Sequence, residues 1–202
     1  MTANRDFLDE GFRAVGDGLL RIVDRASLHL QPLALTKRMR RRCMAGMRQL
    51  TLILRRLLFL LALSIVLPPA KPRHRSGAAC PDGVEDVTAT FRAPVRGIAL
   101  VPGLSGAFPE RLRSLTRVIV SGPVPAAPVL ARWAALHRIL QAPDAHARRL
   151  AQTLRRWRLR GEPRPLVAPL AGAHRFSPAL GLVAAVLPVH LKRALEAWPD
   201  TG

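Results

Sequence analysis

The segment from Leu57 to Leu67 constrains the fold of this chain most, because its eleven residues are almost wholly apolar and carry no charge. As a helix, eleven residues rise about 16 Å, roughly half of the ~30 Å hydrocarbon core of a bilayer. A helix extended back to Leu50 is long enough to span the bilayer, but it includes Arg55 and Arg56. Insertion scales then place the free energy of insertion near zero.

Three placements stay open for this apolar run: insertion into a membrane or deep embedding at its surface, cleavage as a signal segment, or burial in a protein core. Cleavage fits best if translation starts at Met44 or Met47, since signal segments are N-terminal. We predict insertion or embedding. The residues predicted to enter the membrane are Leu57, Leu58, Phe59, Leu60, Leu61, Leu63, Ile65, Val66 and Leu67.

A basic amphipathic helix is predicted directly before the apolar run. Residues 37–56 contain eight Lys or Arg and no acid. At 100° per residue the apolar and basic side chains fall on opposite sides, a pattern typical of a helix lying among anionic headgroups. The predicted contacts with anionic lipid are Lys37, Arg41, Arg48, Arg55 and Arg56.

The total charge is weaker evidence than this arrangement. The net charge of +19 favours an anionic partner, either nucleic acid or lipid. However, 29 of the 32 basic residues are Arg and there is no Tyr, which is typical of GC-rich codons. The same composition is typical of a spurious or mis-started reading frame in a GC-rich genome, and this alternative stays open.

The first 32 residues are predicted to form a separate amphipathic helix that packs against protein, because its polar face carries both signs of charge. Its apolar residues recur every three or four positions. They are Leu8, Phe12, Val15, Leu19, Ile22, Ala26 and Leu30. Pro32 is predicted to end the helix.

Four segments result: the helix of residues 1–32, the basic helix with its apolar run at 33–69, a turn-rich linker at 70–86 and a C-terminal domain at 87–202. In that domain we expect short strands between residues 87 and 120 and helices between 128 and 198. Ser177 and Pro178 predict a helix start, and Pro188 predicts a kink or a split in that helix. The predicted fold class is mainly α, with a small helical or α+β C-terminal domain.

A second basic helix is predicted after Pro143. Its arginines are Arg148, Arg149, Arg155, Arg156, Arg158 and Arg160. Arginines in this arrangement contact phosphates without reading sequence. The residues near the helix start include none of the Asn, Gln, Ser or Thr that base recognition favours. Nucleic-acid binding is therefore the alternative function.

No catalytic, cofactor or metal site is predicted. Residues 103–107, Gly-Leu-Ser-Gly-Ala, resemble the nucleophile elbow of hydrolases, but Pro109 interrupts where the following helix should begin. Cys43 and Cys80 stand apart from each other, outside any Cys-x-x-Cys pair.

The sequence thus predicts a membrane-associated, non-enzymatic protein acting as an anchor, an adaptor or a structural protein of the envelope. Its expected partners are anionic lipid and another membrane protein. Eight basic residues precede the apolar run and three follow it closely, which predicts a cytoplasmic N-terminus at a bacterial inner membrane if the run crosses.

Overall fold

Helices dominate the computed structural model, which describes residues 2–69, 122–170 and 176–198. The five helices in these residues are α1 (Thr2–Arg25), α2 (Lys37–Ser64), α3 (Ala127–Gln141), α4 (Pro143–Leu159) and α5 (Pro178–Ala194). A 3₁₀ turn covers Leu28–Leu30, and the strands are β1 (Ala34–Leu35) and β2 (Val124–Pro125). The mainly helical class is confirmed. The predicted linker and the predicted strands at 87–120 lie outside the described residues.

The apolar face of α1 packs against α2 through close backbone approaches. A Cβ atom built on Gly11 would lie 2.6 Å from Cδ2 of Leu57, and one on Gly18 would lie 2.8 Å from Cδ2 of Leu50. Gly11 is close to Leu57 and the later Gly18 is close to the earlier Leu50, so the two helices are antiparallel. These glycines weaken α1 as an isolated helix but permit its contact with α2.

α1 ends earlier than the sequence predicts. Ser27 and Gln31 both adopt the left-handed conformation, each with a φ of 48°, and the 3₁₀ turn lies between them. The apolar periodicity therefore fails at its last member. Leu30 is 72% exposed, whereas Leu8, Val15 and Leu19 are buried.

α2 is the central helix, packed against α1, α4 and α5. The hydroxyl of Thr36 accepts a hydrogen bond from the backbone N–H of Met39 at 3.2 Å and caps its N-terminus. Downstream, Leu57 and Phe59 have no solvent exposure. The first part of the apolar run, from Leu57 to Leu60, therefore belongs to the core of the protein.

A membrane-spanning role for this run is not supported. No helix within the described residues has the length and apolar character needed to cross a bilayer. α2 ends at Ser64 rather than continuing to Leu67, and Ile65 is extended. The helical part of the run is therefore shorter than the sequence predicts.

The remaining helices complete the core around α2. α3 and α4 are separated by Ala142 alone, and α4 ends just before Gly161, which has a φ of 68°. α5 begins at Pro178 as predicted and continues through Pro188 to Ala194, so, of the kink or split predicted at Pro188, the split does not occur.

A short sheet ties the α1–α2 connection to the start of α3. β1 and β2 are antiparallel, with Ala34 opposite Pro125 and Leu35 opposite Val124. The N–H of Ala126 adds a hydrogen bond to the carbonyl of Leu33 at 3.1 Å. The connection is thereby held at one end of the α1–α2 pair.

Candidate anionic-surface site

Four of the five predicted lipid-contacting residues lie on one exposed line along α2. We call Lys37, Arg41, Arg48 and Arg55 the basic row; all four are exposed. At 100° per residue their directions agree within about 40°, and the row is about 27 Å long at 1.5 Å per residue. A straight row of this kind can meet an extended anionic surface along its whole length.

The fifth predicted contact, Arg56, is placed differently. It lies one residue beyond Arg55, about 100° further round the helix, and is only 2% exposed. Burial lowers the pKa of its guanidinium because the charged form loses hydration. The structure therefore places Arg56 in the interior, away from the basic row.

Within the described residues, no carboxylate forms an ion pair with the basic row. None of its four side chains forms an ion pair or a hydrogen bond with another residue in the described ranges. Three further exposed arginines flank the row near the start of α2, namely Arg38, Arg40 and Arg42. This end of the helix is a concentrated positive surface.

Two exposed leucines stand on the connection that leads into the same helix. Leu30 is 72% exposed and Leu33 is 93% exposed, and we call them the leucine pair. Sequence reasoning missed them, because periodicity assigned Leu30 to the buried face of α1. The turn chemistry around Pro32 was the only available signal.

The residues predicted to enter a membrane separate into a buried and a partly accessible set. Buried in the core are Leu57, Leu58, Phe59 and Leu60. Partly accessible are Leu61, Leu63, Ile65 and Leu67. Val66 alone of the nine is fully accessible, at 93% exposure.

The arginines of α4 divide between structural contacts and the surface. Arg155 donates from Nη1 to the carbonyl of Pro68 at 2.6 Å, and the guanidinium carbon of Arg158 lies 4.6 Å from the ring centroid of Trp198. These two tie α4 to neighbouring segments. The exposed arginines are Arg148, Arg149 and Arg156 on the helix and Arg160 directly after its last residue, which we count with α4 below.

The described residues contain no group of three His, Cys, Asp or Glu side chains placed to hold a metal ion. Cys43 is buried on α2, and burial raises the pKa of its thiol. A buried neutral thiol is a poor nucleophile.

No family model matches the chain, and neither a curated protein nor a solved structure shows significant similarity to it. The surface of the protein is therefore the basis for its proposed function.

Proposed function

We propose that this protein is a non-enzymatic anchor or adaptor that binds the surface of an anionic membrane through the basic row and the leucine pair. The apolar half of α2 stays in the protein core in this arrangement. The partner is anionic lipid, and binding is peripheral.

One observation carries the proposal: two leucines at 72% and 93% exposure stand on the connection into the helix that bears the basic row. Exposed apolar side chains lose contact with water when they enter the headgroup region. Adjacent cations gain about 1 kcal/mol each near an anionic leaflet. We expect both effects at one contact surface, because Leu33 and Leu30 are four and seven residues before Lys37.

Nucleic acid is the alternative partner, since a basic surface attracts phosphates of either kind. The leucine pair favours lipid, because a phosphodiester backbone offers fully exposed leucines no apolar environment. The exposed arginines Arg148, Arg149, Arg156 and Arg160 supply a second basic surface for nucleic acid. One exposed leucine, Leu159 at 77%, lies among them.

Vesicle sedimentation tests the proposal. The variant Lys37→Gln, Arg41→Gln, Arg48→Gln, Arg55→Gln removes the basic row. At about 1 kcal/mol per residue, even a strong discount leaves at least a tenfold loss of affinity for vesicles containing phosphatidylglycerol. Binding to pure phosphatidylcholine vesicles should be weak and barely change.

A matched control removes four charges from α4 instead, with Arg148, Arg149, Arg156 and Arg160 changed to Gln. Both variants remove four positive charges, so the net charge falls equally. The four arginines are exposed, like the side chains of the basic row. This variant should keep most of its vesicle affinity. Equal losses in the two variants would show that total charge decides binding, and equal binding to neutral and anionic vesicles would exclude electrostatic recognition.

The leucine pair and the competing partner need separate measurements. Leu30→Ser with Leu33→Ser should weaken vesicle binding and leave any duplex DNA binding unchanged. If the basic-row variant loses DNA binding while the wild type ignores anionic vesicles, the membrane proposal is wrong and the nucleic-acid alternative replaces it.

A further inference from the structure

An apolar cavity of about 650 Å³, open to solvent, lies between the end of α1, the 3₁₀ turn and the first half of α3. Seven of its nine lining residues are apolar. The lining consists of Leu20, Val23, Leu28, His29, Gln31, Leu130, Ala131, Trp133 and Ala134. The cavity thus joins three elements at the end of the bundle where the leucine pair is found.

The lining indicates what the cavity can hold. Its volume is within the range of about 300–1,000 Å³ typical of small-molecule sites. Leu, Val and Ala side chains form most of the wall, and both polar lining residues, His29 and Gln31, belong to the connection after α1. A ligand here would bury hydrocarbon and make few polar contacts.

One segment of the chain, the connection between α1 and α2, contributes both to the cavity and to the proposed membrane-binding surface. Its lining residue Gln31 is two positions before Leu33, and the carbonyl of Leu33 accepts the hydrogen bond from Ala126 at the start of α3. The opposite wall of the cavity comes from α3. One connection therefore carries the leucine pair, lines the cavity and leads into the basic row.

We infer that this cavity accepts an acyl chain of an anionic membrane lipid. Charge complementarity selects an anionic amphiphile, because the connection that lines the cavity leads into the start of α2, where exposed Lys and Arg form no ion pair within the described residues. The hydrocarbon occupies the cavity and the headgroup stays with the basic residues. The inference rests on the proposed function and names the part of the lipid that the protein holds.

Trp133 gives a direct readout, because its ring lines the cavity. Bromine atoms on an acyl chain quench tryptophan fluorescence at short range. Vesicles of phosphatidylcholine and phosphatidylglycerol with brominated chains should quench the wild-type protein. Trp133→Phe should remove the part of the quenching that comes from Trp133, while Trp157 and Trp198 still emit. Its effect on vesicle sedimentation should be smaller than that of the basic-row variant.

Filling the cavity separates chain binding from surface binding. Ala134→Phe places a ring in the cavity, and Ala135→Phe, an exposed neighbour on α3 that does not line it, is the matched control. Ala134→Phe should lose the Trp133 quenching and weaken vesicle sedimentation less than the basic-row variant does. Ala135→Phe should keep both at the wild-type level. If the wild type sediments but neither Trp133→Phe nor Ala134→Phe reduces quenching, the cavity does not hold the chain.

A brominated fatty acid, added as monomer without vesicles, provides an independent test of the cavity. Saturable quenching that Ala134→Phe abolishes supports acyl-chain binding, and its absence at soluble concentrations contradicts it. Quenching by the fatty acid together with no wild-type sedimentation would overturn both the proposed function and the membrane as the source of the chain. The two failures are therefore distinguishable.

Discussion

Replacing Gly11 by alanine should destabilise the protein, although alanine is the better helix former. In an open helix the change stabilises by about 0.5–1 kcal/mol. Here the added Cβ would lie 2.6 Å from Cδ2 and 3.1 Å from Cδ1 of Leu57. Leu57 is fully buried, so its methyl groups have no solvent-filled space to move into. Overpacking typically costs about 1–3 kcal/mol, which gives a net destabilisation of up to about 2 kcal/mol.

Gly16 supplies the matched control in the same helix. A Cβ built on Gly16 meets no atom within 4 Å. Gly16→Ala should therefore stabilise the protein by about 0.5–1 kcal/mol. The two substitutions are chemically identical and five residues apart, so opposite signs isolate the contact with α2.

The partner side chain completes the test, with circular dichroism during urea denaturation as the assay. Valine has no δ carbons, so in a Leu57→Val background Gly11→Ala should turn from destabilising to stabilising. The coupling should be about 1–3 kcal/mol. If Gly11→Ala alone stabilises as much as Gly16→Ala, the close packing of α1 against α2 is wrong.

Two further predictions concern titration and thiol access. The rings of His190 and Phe7 are stacked, with their centroids 4.2 Å apart. Burial, and then the charge of Arg193, lower the pKa of His190 in the folded protein. The unfolded state therefore binds the proton more readily, and stability should fall as the pH drops below about 6.5. His190→Phe should make the thermal midpoint change less between about pH 7.5 and 5.5. If the midpoint changes as much as in the wild type, other groups cause the pH dependence. Cys43 is 3% exposed with a raised thiol pKa, so in a Cys80→Ser variant a thiol reagent should label it slowly unless denaturant is present. Rapid labelling of the native protein would contradict this burial.

The course of α2 could be predicted from sequence because it depends on local periodicity. The basic row follows from spacings of four and seven residues, and the structure places all four of its side chains on one exposed face. The position of Arg56 outside the basic row follows from the same helical geometry, since it lies about 100° from Arg55. Its burial depends on the helices that cover that side of α2, and the local sequence does not specify them.

The surroundings of the apolar run could not be predicted for the same reason. Leu57 to Leu60 have the same local pattern whether lipid or protein surrounds them. The choice depends on distant partner faces such as those of α4 and α5. Likewise, propensity penalises Gly11 and Gly16 equally, and only the position of Leu57 distinguishes them. Leu30 was misassigned because left-handed residues ended α1 within a continuing apolar repeat.

High salt should release the protein from anionic vesicles, because its binding depends on charge and α2 does not insert. Insertion of α2 would disrupt the fold. Withdrawing Leu57, Phe59 and their neighbours would expose the facing side chains of α1, α4 and α5, each worth about 1.5–3 kcal/mol of burial. A few such side chains equal the whole stability of a typical domain, about 5–15 kcal/mol. Peripheral binding keeps the core intact and relies on charge, which salt at about 1 M screens beyond roughly 3 Å. Pelleting vesicles in low and high salt measures the difference. If a variant carrying Leu30→Ser, Leu33→Ser and Ala134→Phe, which lacks the other apolar contacts, still stays bound in high salt and needs detergent for release, then α2 leaves the core and enters the bilayer.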